Sequence, residues 1–156
     1  MLFRSSAGTG KTKVLSDRVL RLLLEGVDST KILCLTYTKA AAVEMSSRIA
    51  ERLSKWAVMN EKDLEEELIK LYGKLPTDAD KAKKLKSKAR QLFAILLDTA
   101  GGMKIKTIHS FCEEILKRFP LEANLSPYFE IMDERNSSQA LNNIKKEILS
   151  FAAQNP

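Results

Sequence analysis

The sequence predicts an α/β fold in which helices flank a parallel sheet and a helical insertion separates two of the strands. Three observations predict this: a small-residue loop that leads into a helix pattern, short apolar runs bounded by turn residues, and a long charged stretch with helical periodicity. A strand, loop, helix and strand in this order form a βαβ unit, which has a right-handed crossover and parallel strands. The length of 156 residues suits one domain.

The composition indicates a globular chain with a basic excess. Hydrophobic residues make up 44% of the chain and charged residues 29%. The sequence has 26 Lys and Arg and 20 Asp and Glu, which gives a net charge of +6. That excess favours a polyanionic partner such as nucleic acid or nucleotide phosphates, although a merely basic surface explains it equally well. No apolar run approaches the roughly 20 residues of a membrane span, and we expect no signal peptide before Met1. Cys34 and Cys112 suit neither a disulfide framework nor a zinc site, so a reducing, cytoplasmic compartment is expected.

The first half of the chain supplies the βαβ unit. Met1–Arg4 is a short strand candidate, and Ser5–Thr12 (SSAGTGKT) is the small-residue turn. The helix that follows ends at Gly26, and residues Lys31–Thr36 are most simply a buried parallel strand. The apolar stripe predicted for this first helix consists of Leu15, Val19, Leu20, Leu22, Leu23 and Leu24.

A second helix begins after Thr38, and the charged stretch from about 58 to 100 follows as an insertion on the sheet, not a separate domain. The predicted buried stripe of the second helix is Ala42, Met45, Ile49, Leu53 and Trp56. Pro76 divides the insertion into two helices, the first rich in acidic and the second in basic residues. We expect solvated faces that pair with each other, and consider contact between the basic stretch and a DNA backbone the alternative.

The last third contains two more strand candidates and two helices. Ile105–Ile108 is a third strand, and a helix over His109–Phe119 ends before Pro120. Tyr128–Met132 is a further strand candidate, and an amphipathic helix carries Leu141, Ile144, Ile148 and Phe151.

The turn at Ser5–Thr12 is the sharpest chemical signal. A phosphate-binding loop needs small residues so that backbone amides point inward, a lysine for the β- and γ-phosphates, and a hydroxyl for Mg²⁺. Gly10, Lys11 and Thr12 meet these needs, and the helix N-terminus behind them adds its positive dipole end. Ser5 stands where the general pattern has its first glycine. The alternative is a glycine-rich turn with a surface lysine, which the flanking strand and helix disfavour.

Polar segments follow the second and third strands. Ligands in open α/β sheets bind at the carboxyl ends of strands, where Thr36–Lys39 and Lys106–Ser110 are placed. Hydroxyls at a helix N-terminus can hold phosphate oxygens, and Tyr37 can stack on a base or instead pack against the sheet. His109, the only histidine, is more often a capping or packing residue in such a position.

The segment Tyr128–Glu134 imitates the acidic magnesium-binding strand of an NTPase. An apolar strand that ends in Asp133 and Glu134 would supply a Mg²⁺ ligand and a water-polarising carboxylate. Glu130 interrupts the apolar run, and a central parallel strand does not carry such a charge. We interpret this likeness as accidental.

Three segments in order resemble superfamily 1 DNA helicases of the UvrD/Rep type. They are SSAGTGKT at Ser5–Thr12, LTYTKAAAVEM at Leu35–Met45 and IKTIHSFCEEILKRFPLEA at Ile105–Ala123, which match motifs I, Ia and Ib. The long helical stretch between Ia and Ib is most similar to AddA-type helicase–nucleases of double-strand-break repair. The resemblance implies part of a RecA-like P-loop NTPase domain, and in this family a small residue often replaces the first loop glycine.

The resemblance also implies a role for each motif. ATP would lie on Ser5, Ser6, Ala7, Gly8, Thr9, Gly10, Lys11 and Thr12, with Thr12 as the Mg²⁺ ligand. The single-stranded or end-containing DNA would follow Thr36, Tyr37, Thr38, Lys39, Thr107, His109 and Ser110. The implied activity is ATP-dependent, 3′–5′ unwinding in recombinational repair, together with the remaining helicase–nuclease polypeptide and an AddB-like subunit.

Apart from the accidental likeness at Asp133 and Glu134, the chain shows no DExx segment and none of the arginines of the later helicase motifs. Such arginines accelerate phosphoryl transfer by about 10³–10⁵ in other NTPases. We therefore expect the 156 residues alone to bind nucleotide and DNA without unwinding. Two alternatives remain: a non-enzymatic remnant or split module that needs a partner, and a small P-loop enzyme that uses Asp133 and Glu134.

Overall fold

The computed structural model describes residues 10–154. The first strand candidate, Met1–Arg4, and residues Ser5–Thr9 of the small-residue loop lie outside the described residues. The elements in chain order are α1 (Lys11–Glu25), a 3₁₀ turn (Ser29–Lys31), β1 (Leu33–Thr36), α2 (Lys39–Val58), α3 (Glu61–Tyr72), α4 (Ala79–Asp98), β2 (Lys104–Thr107), α5 (Ile108–Arg118) and α6 (Glu134–Gln154). This arrangement confirms the predicted α/β class.

The two described strands form a parallel pair. Leu33 of β1 is in register with Lys104 of β2, and Thr36 is in register with Thr107. Parallel strands need a long crossover, and here α2, α3 and α4 supply it. The carboxyl ends of both strands consequently lie at one edge of the sheet.

The core lies among α1, α2, α3 and α4. Trp56, Ile49 and Leu53 of α2 are completely buried, as are Leu64 and Leu68 of α3. The other members of the core cluster are Val19, Leu20, Leu23, Leu24, Ile32, Met45, Leu71, Ala89 and Leu92. Full burial of one such aliphatic side chain stabilises a fold by about 1.5–3 kcal/mol. Because the helices of the insertion share this core with α1 and α2, they pack on the same body as the sheet.

Local sequence fixes where these helices begin and end. Gly26 adopts a left-handed conformation with φ 100°, and its amide donates to Leu22 and Leu23 carbonyls at the end of α1. The side chains of Thr38, Asn60 and Asp78 accept backbone N–H groups at the starts of α2, α3 and α4.

The oppositely charged faces of α3 and α4 pair with each other, as predicted. Lys86 Nζ lies 2.6 Å from Glu61 Oε1 and 3.6 Å from Glu65 Oε2. The hydrogen bond from Lys86 lowers the pKa of Glu61, and its hydrogen bond to Glu61 raises the pKa of Lys86. Lys88 lies against the end of α1, where a Cβ added to Gly26 would be 2.9 Å from its Nζ. Part of the basic stretch therefore contributes to packing between helices.

Three predictions about the elements were wrong. The strand predicted to be buried over Lys31–Thr36 forms at Leu33–Thr36 and is partly exposed, with Leu33 at 42% and Leu35 at 44%, because β2 is its only neighbour among the described strands. The predicted buried stripe of α1 includes Leu15, but this residue is exposed, because burial along α1 begins at Ser16 and its apolar members start at Val19. No strand forms over 128–132, where the chain is turn and coil. The side chain of Asp133 instead accepts the amide of Asn136 at 2.7 Å in the first turn of α6.

The chain divides into two compact units at residues 111 and 112, within α5. The second unit contains the rest of α5, a series of turns and α6. The predicted apolar stripe of α6 is present, but its members Leu141, Ile144, Ile148 and Phe151 are all exposed. None of the described helices combines the length and the hydropathy that a bilayer-spanning segment requires.

Candidate nucleotide and nucleic-acid site

The carboxyl edge of the sheet brings both strand-end motifs together. Tyr37 and Thr38 connect β1 to α2, and β2 passes directly into α5 at Ile108. Because Thr36 and Thr107 are register partners, the residues that follow them start from neighbouring points. The expectation that the two polar segments share one edge is confirmed.

The threonines after β1 use their hydroxyls within the fold. Thr36 Oγ1 lies 3.0 Å from the Thr38 carbonyl and 3.4 Å from the Lys106 carbonyl on the neighbouring strand. Thr38 Oγ1 accepts the Ala41 amide at 3.1 Å and thereby caps α2. These contacts fix the path of the turn on which Tyr37 and Lys39 lie.

A similar network holds the start of α5. Buried Thr107 accepts the Ser110 amide on its Oγ1 at 3.1 Å, and the two hydroxyl oxygens are 2.9 Å apart. Ser110 Oγ also donates to the Thr107 carbonyl at 3.0 Å. The hydroxyls of Thr107 and Ser110 thus satisfy each other and fix the backbone turn that carries Ile108 and His109.

Tyr37 and His109 form an exposed pair of rings at this edge. Their centroids are 6.3 Å apart and their planes meet at 71°, an edge-to-face arrangement. Tyr37 is 78% exposed, so it does not pack against the sheet. Lys39 is exposed at the first position of α2. The edge consequently presents two aromatic rings and an ammonium group on a turn held by satisfied hydroxyls.

The described end of the small-residue loop leads into α1. Gly10 has φ 70° and ψ 9°, a left-handed conformation that glycine adopts without strain, and its carbonyl accepts the Val14 amide at 3.1 Å. Lys11 and Thr12 occupy the first turn of α1, where free N–H groups and the helix dipole favour an anion. The order of glycine, lysine and hydroxyl along this turn is the one a phosphate-binding loop requires.

Lys11 carries the most informative atom of the site. Its Nζ is buried and has no hydrogen-bond partner within residues 10–154. A buried ammonium without a partner is costly, and native structures seldom leave one so unless a ligand supplies the acceptor. Phosphate oxygens would meet that need, and Thr12 lies next to Lys11 in the first turn of α1.

Comparison with known families and proteins shows the family of the chain. The profile of the UvrD/REP helicase N-terminal domain matches residues 1–155. The chain belongs to the UvrD/REP helicase family. It is 33% identical over 155 residues to an ATP-dependent helicase/nuclease subunit of Lactobacillus acidophilus, covering 96% of this chain and 11% of that protein. The subunit of the same name from Clostridium kluyveri is 34% identical over 140 residues, covering 88% of this chain and 9% of the relative. The chain thus spans about a tenth of the length of these relatives.

Asp133 has a local structural role in this UvrD/REP domain. Both side-chain oxygens of Asp133 engage Asn136, with Oδ2 accepting the side-chain amide at 3.1 Å. The residue therefore works as a helix cap in the second unit and does not end a strand. Because residues 128–132 form no strand, Tyr128–Glu134 does not have the structure of a magnesium-binding strand.

One cluster of charged side chains in this UvrD/REP domain was not predicted from the sequence. A cleft of about 420 Å³ is lined by residues of α1, α2 and α3, among them Lys13, Asp17, Arg52, Trp56 and Glu67. Arg52 pairs with Asp17 on α1, and its Nη2 lies 3.3 Å from Glu67 Oε2 on α3. The partners are 35 and 15 positions away in sequence, so no local pattern indicates the cluster.

Proposed function

We propose that these residues form the nucleotide- and DNA-binding N-terminal part of an ATP-dependent helicase that acts in recombinational double-strand-break repair with 3′–5′ polarity. The buried Nζ of Lys11, which has no partner among the described residues, is the observation that carries the nucleotide half of the proposal. The family match and the names of the relatives support the helicase role.

On the nucleotide side, the loop residues before α1 would surround the phosphates with backbone amides. Lys11 would offset the charge of the β- and γ-phosphates, and Thr12 would hold Mg²⁺ through its hydroxyl. Bound ATP would supply the phosphoryl group whose hydrolysis drives such motors. Hydrolysis also needs a DExx carboxylate and charge-stabilising arginines, which these 156 residues do not show. On their own they are therefore expected to bind nucleotide without unwinding DNA.

On the DNA side, the exposed edge of the sheet suits a single strand. Tyr37 is 78% exposed and its ring can stack on a base, a contact worth about 1–3 kcal/mol per base. Lys39 and the start of α2 can face the phosphates, and His109 holds the Tyr37 ring from its edge. Such contacts tolerate any sequence, as a translocating motor requires.

Separate binding measurements test the two halves. Lys11→Ala should lower affinity for MgADP at least about tenfold, the loss expected for a hydrogen bond between charged groups, and leave affinity for oligothymidine unchanged. Lys13→Ala, two residues along the same helix, is the matched control. Equal MgADP affinity in wild type and Lys11→Ala would refute the nucleotide assignment.

The DNA assignment has its own pair of variants. Tyr37→Ala should weaken binding of an oligothymidine of about 12 nucleotides by at least about fivefold, with MgADP affinity retained. Tyr128→Ala removes an even more exposed tyrosine, 92% accessible, in the other unit. If Tyr128→Ala weakens oligothymidine binding as much as Tyr37→Ala does, the carboxyl edge of the sheet is not the DNA site.

The partners we propose are the remaining helicase–nuclease polypeptide and an AddB-like subunit. The apolar stripe of α6, including Leu141, Ile144 and Ile148, is exposed, and the relatives are about ten times longer than this chain. Exposed stripes of this kind mark association surfaces. Co-expression with a downstream helicase segment should increase the soluble yield, and Ile144→Lys should abolish that increase. A fully soluble monomer unaffected by co-expression would count against these partners.

A further inference from the structure

The two halves of α1 are held in different ways. Its apolar anchors, Val19, Leu20, Leu23 and Leu24, all lie in the C-terminal half. In the N-terminal half, which carries Lys11 and Thr12, only Ser16 is buried, and Ser16 Oγ bonds within the helix to the Thr12 carbonyl at 2.8 Å. Apolar packing therefore fixes the far end of α1 and leaves the phosphate-binding end to other contacts.

Arg52 provides a polar contact at the less packed half. Its Nη1 pairs with Asp17 Oδ1, and the two side chains are only 23% and 22% exposed. Asp17 is the residue next to Ser16, at the point where apolar burial of α1 stops. The ion pair thus joins the N-terminal half of α1 to α2 directly.

The guanidinium is itself held from two further sides. Its Nη2 reaches Glu67 on α3 at 3.3 Å, and its carbon lies 5.6 Å from the ring centroid of Trp56. Trp56 is completely buried, so the ring that supports Arg52 is part of the core. Burial raises the pKa of Glu67, but its hydrogen bond from Lys70 and the nearby Arg52 cation outweigh this and lower that pKa overall. A planar fork that meets two carboxylates and an aromatic face has little freedom to move.

Because α2 starts directly after Thr38, the same contact links the two halves of the candidate site. We propose that Arg52 is a positioning residue that fixes the Lys11 end of α1 relative to α2, through Asp17 on one side and Trp56 and Glu67 on the other. Its effect on ligands rests on the proposed nucleotide-binding function. Its effect on helix position does not.

Helix position is measured first, in the full 156-residue chain. Spin labels at Val14→Cys and Val43→Cys, in a background with both native cysteines replaced, report the distance between α1 and α2; these two side chains are 67% and 66% exposed. Arg52→Gln should broaden and shift the distance distribution. Arg48→Gln is the control, because Arg48 pairs with Glu44, one turn away on the same helix, at 2.7 Å.

Ligand binding is measured next, under conditions where circular dichroism shows each variant to be folded. Arg52→Gln should weaken MgADP binding about threefold to tenfold, because it changes the position of α1. Oligothymidine binding should stay unchanged, since the residues proposed to bind DNA at the carboxyl edge of the sheet are not part of α1. General destabilisation would lower both affinities together. Exchanging the partners, Asp17→Arg with Arg52→Asp, should restore part of the MgADP affinity.

The outcomes separate the two proposals. If the wild-type chain binds no MgADP, the proposed function fails. The distances between the two spin labels still test the positioning role of Arg52 in that case. If Arg52→Gln gives the same distance distribution as wild type, the positioning role is overturned. Should Arg52→Gln fail to fold, Asp17→Asn breaks the same pair from α1 and must produce the same two changes.

Discussion

Replacing Lys11 by methionine should stabilise the ligand-free protein while impairing nucleotide binding. Lys11 Nζ is buried without a hydrogen-bond partner among the described residues, so the folded state bears its desolvation. An unsatisfied buried polar group costs about 1–3 kcal/mol, and more when charged. Methionine keeps the unbranched length and has no ammonium. Because the rest of the Lys11 side chain is half-exposed, we expect a gain of about 1–2 kcal/mol in unfolding free energy.

Urea unfolding followed by the fluorescence of Trp56, the sole tryptophan, measures this gain. Because Trp56 lies in the core of the first unit, its signal reports on the unit that contains Lys11. The melting temperature should rise by about 2–6 °C, and MgADP affinity should fall about 10- to 100-fold. Lys13→Met is the matched control, since an exposed site should change stability by less than about 0.5 kcal/mol.

The reasoning would be refuted by a Lys11→Met protein that is less stable than wild type, since that would mean the ammonium is satisfied in the free chain. It would equally be refuted by a stabilised protein with undiminished MgADP affinity. A side chain that destabilises the ligand-free fold and strengthens ligand binding is typical of a functional site.

Three further predictions concern packing, pH and helix termination. Leu53→Ala should lower the unfolding free energy by about 2–5 kcal/mol because Leu53 is completely buried, whereas exposed Leu97→Ala should change it by less than about 0.5 kcal/mol; urea titration compares them. The pKa of Glu67 is lowered in the fold, so its contribution is present above the unfolded pKa of about 4.3 and is lost as pH falls through the folded pKa. Urea unfolding should therefore show wild type to be more stable than Glu67→Gln at about pH 7, with the difference shrinking as pH falls below about 4.3. Gly26→Ala should lower the unfolding free energy by about 1–2 kcal/mol, because alanine disfavours the left-handed backbone at φ 100°, and Gly26→Asn should lower it less. Equal melting temperatures for Gly26→Ala and wild type would contradict this.

The strand ends could be predicted from the sequence because the signals are local. The apolar run before Thr36 is bounded by turn residues, and Thr107 ends a strand that alternates lysine with Ile105, so their meeting at one edge follows from parallel pairing. The charge pairing between α3 and α4 was also predictable, since each helix has one dominant sign. The ring contact between Tyr37 and His109 was not, because it depends on side-chain directions after the turns.

The wrong and missed predictions concern features that local sequence does not determine. Leu15 continues the helical period of α1, but periodicity does not tell where a neighbouring helix stops, and α1 buries apolar side chains only from Val19 onward. The run at 128–132 has strand-like residues but is turn and coil, because residue preference alone does not make a strand without a hydrogen-bonding partner. Arg52 was missed because its partners come from two other helices distant in sequence.

The parallel pairing of β1 and β2 has a consequence for how the molecule folds. Thr36 and Lys106, which meet across the sheet, are 70 positions apart, whereas α2, α3 and α4 follow one another and share apolar contacts over shorter separations. Closing a long chain segment before its contacts can form is slow, so the helical body should assemble first and the strands should pair last. Amide hydrogens of β1 and β2 would then acquire protection after those of α2 and α4 during refolding, and the edge proposed to bind DNA would be the last part of the domain to form.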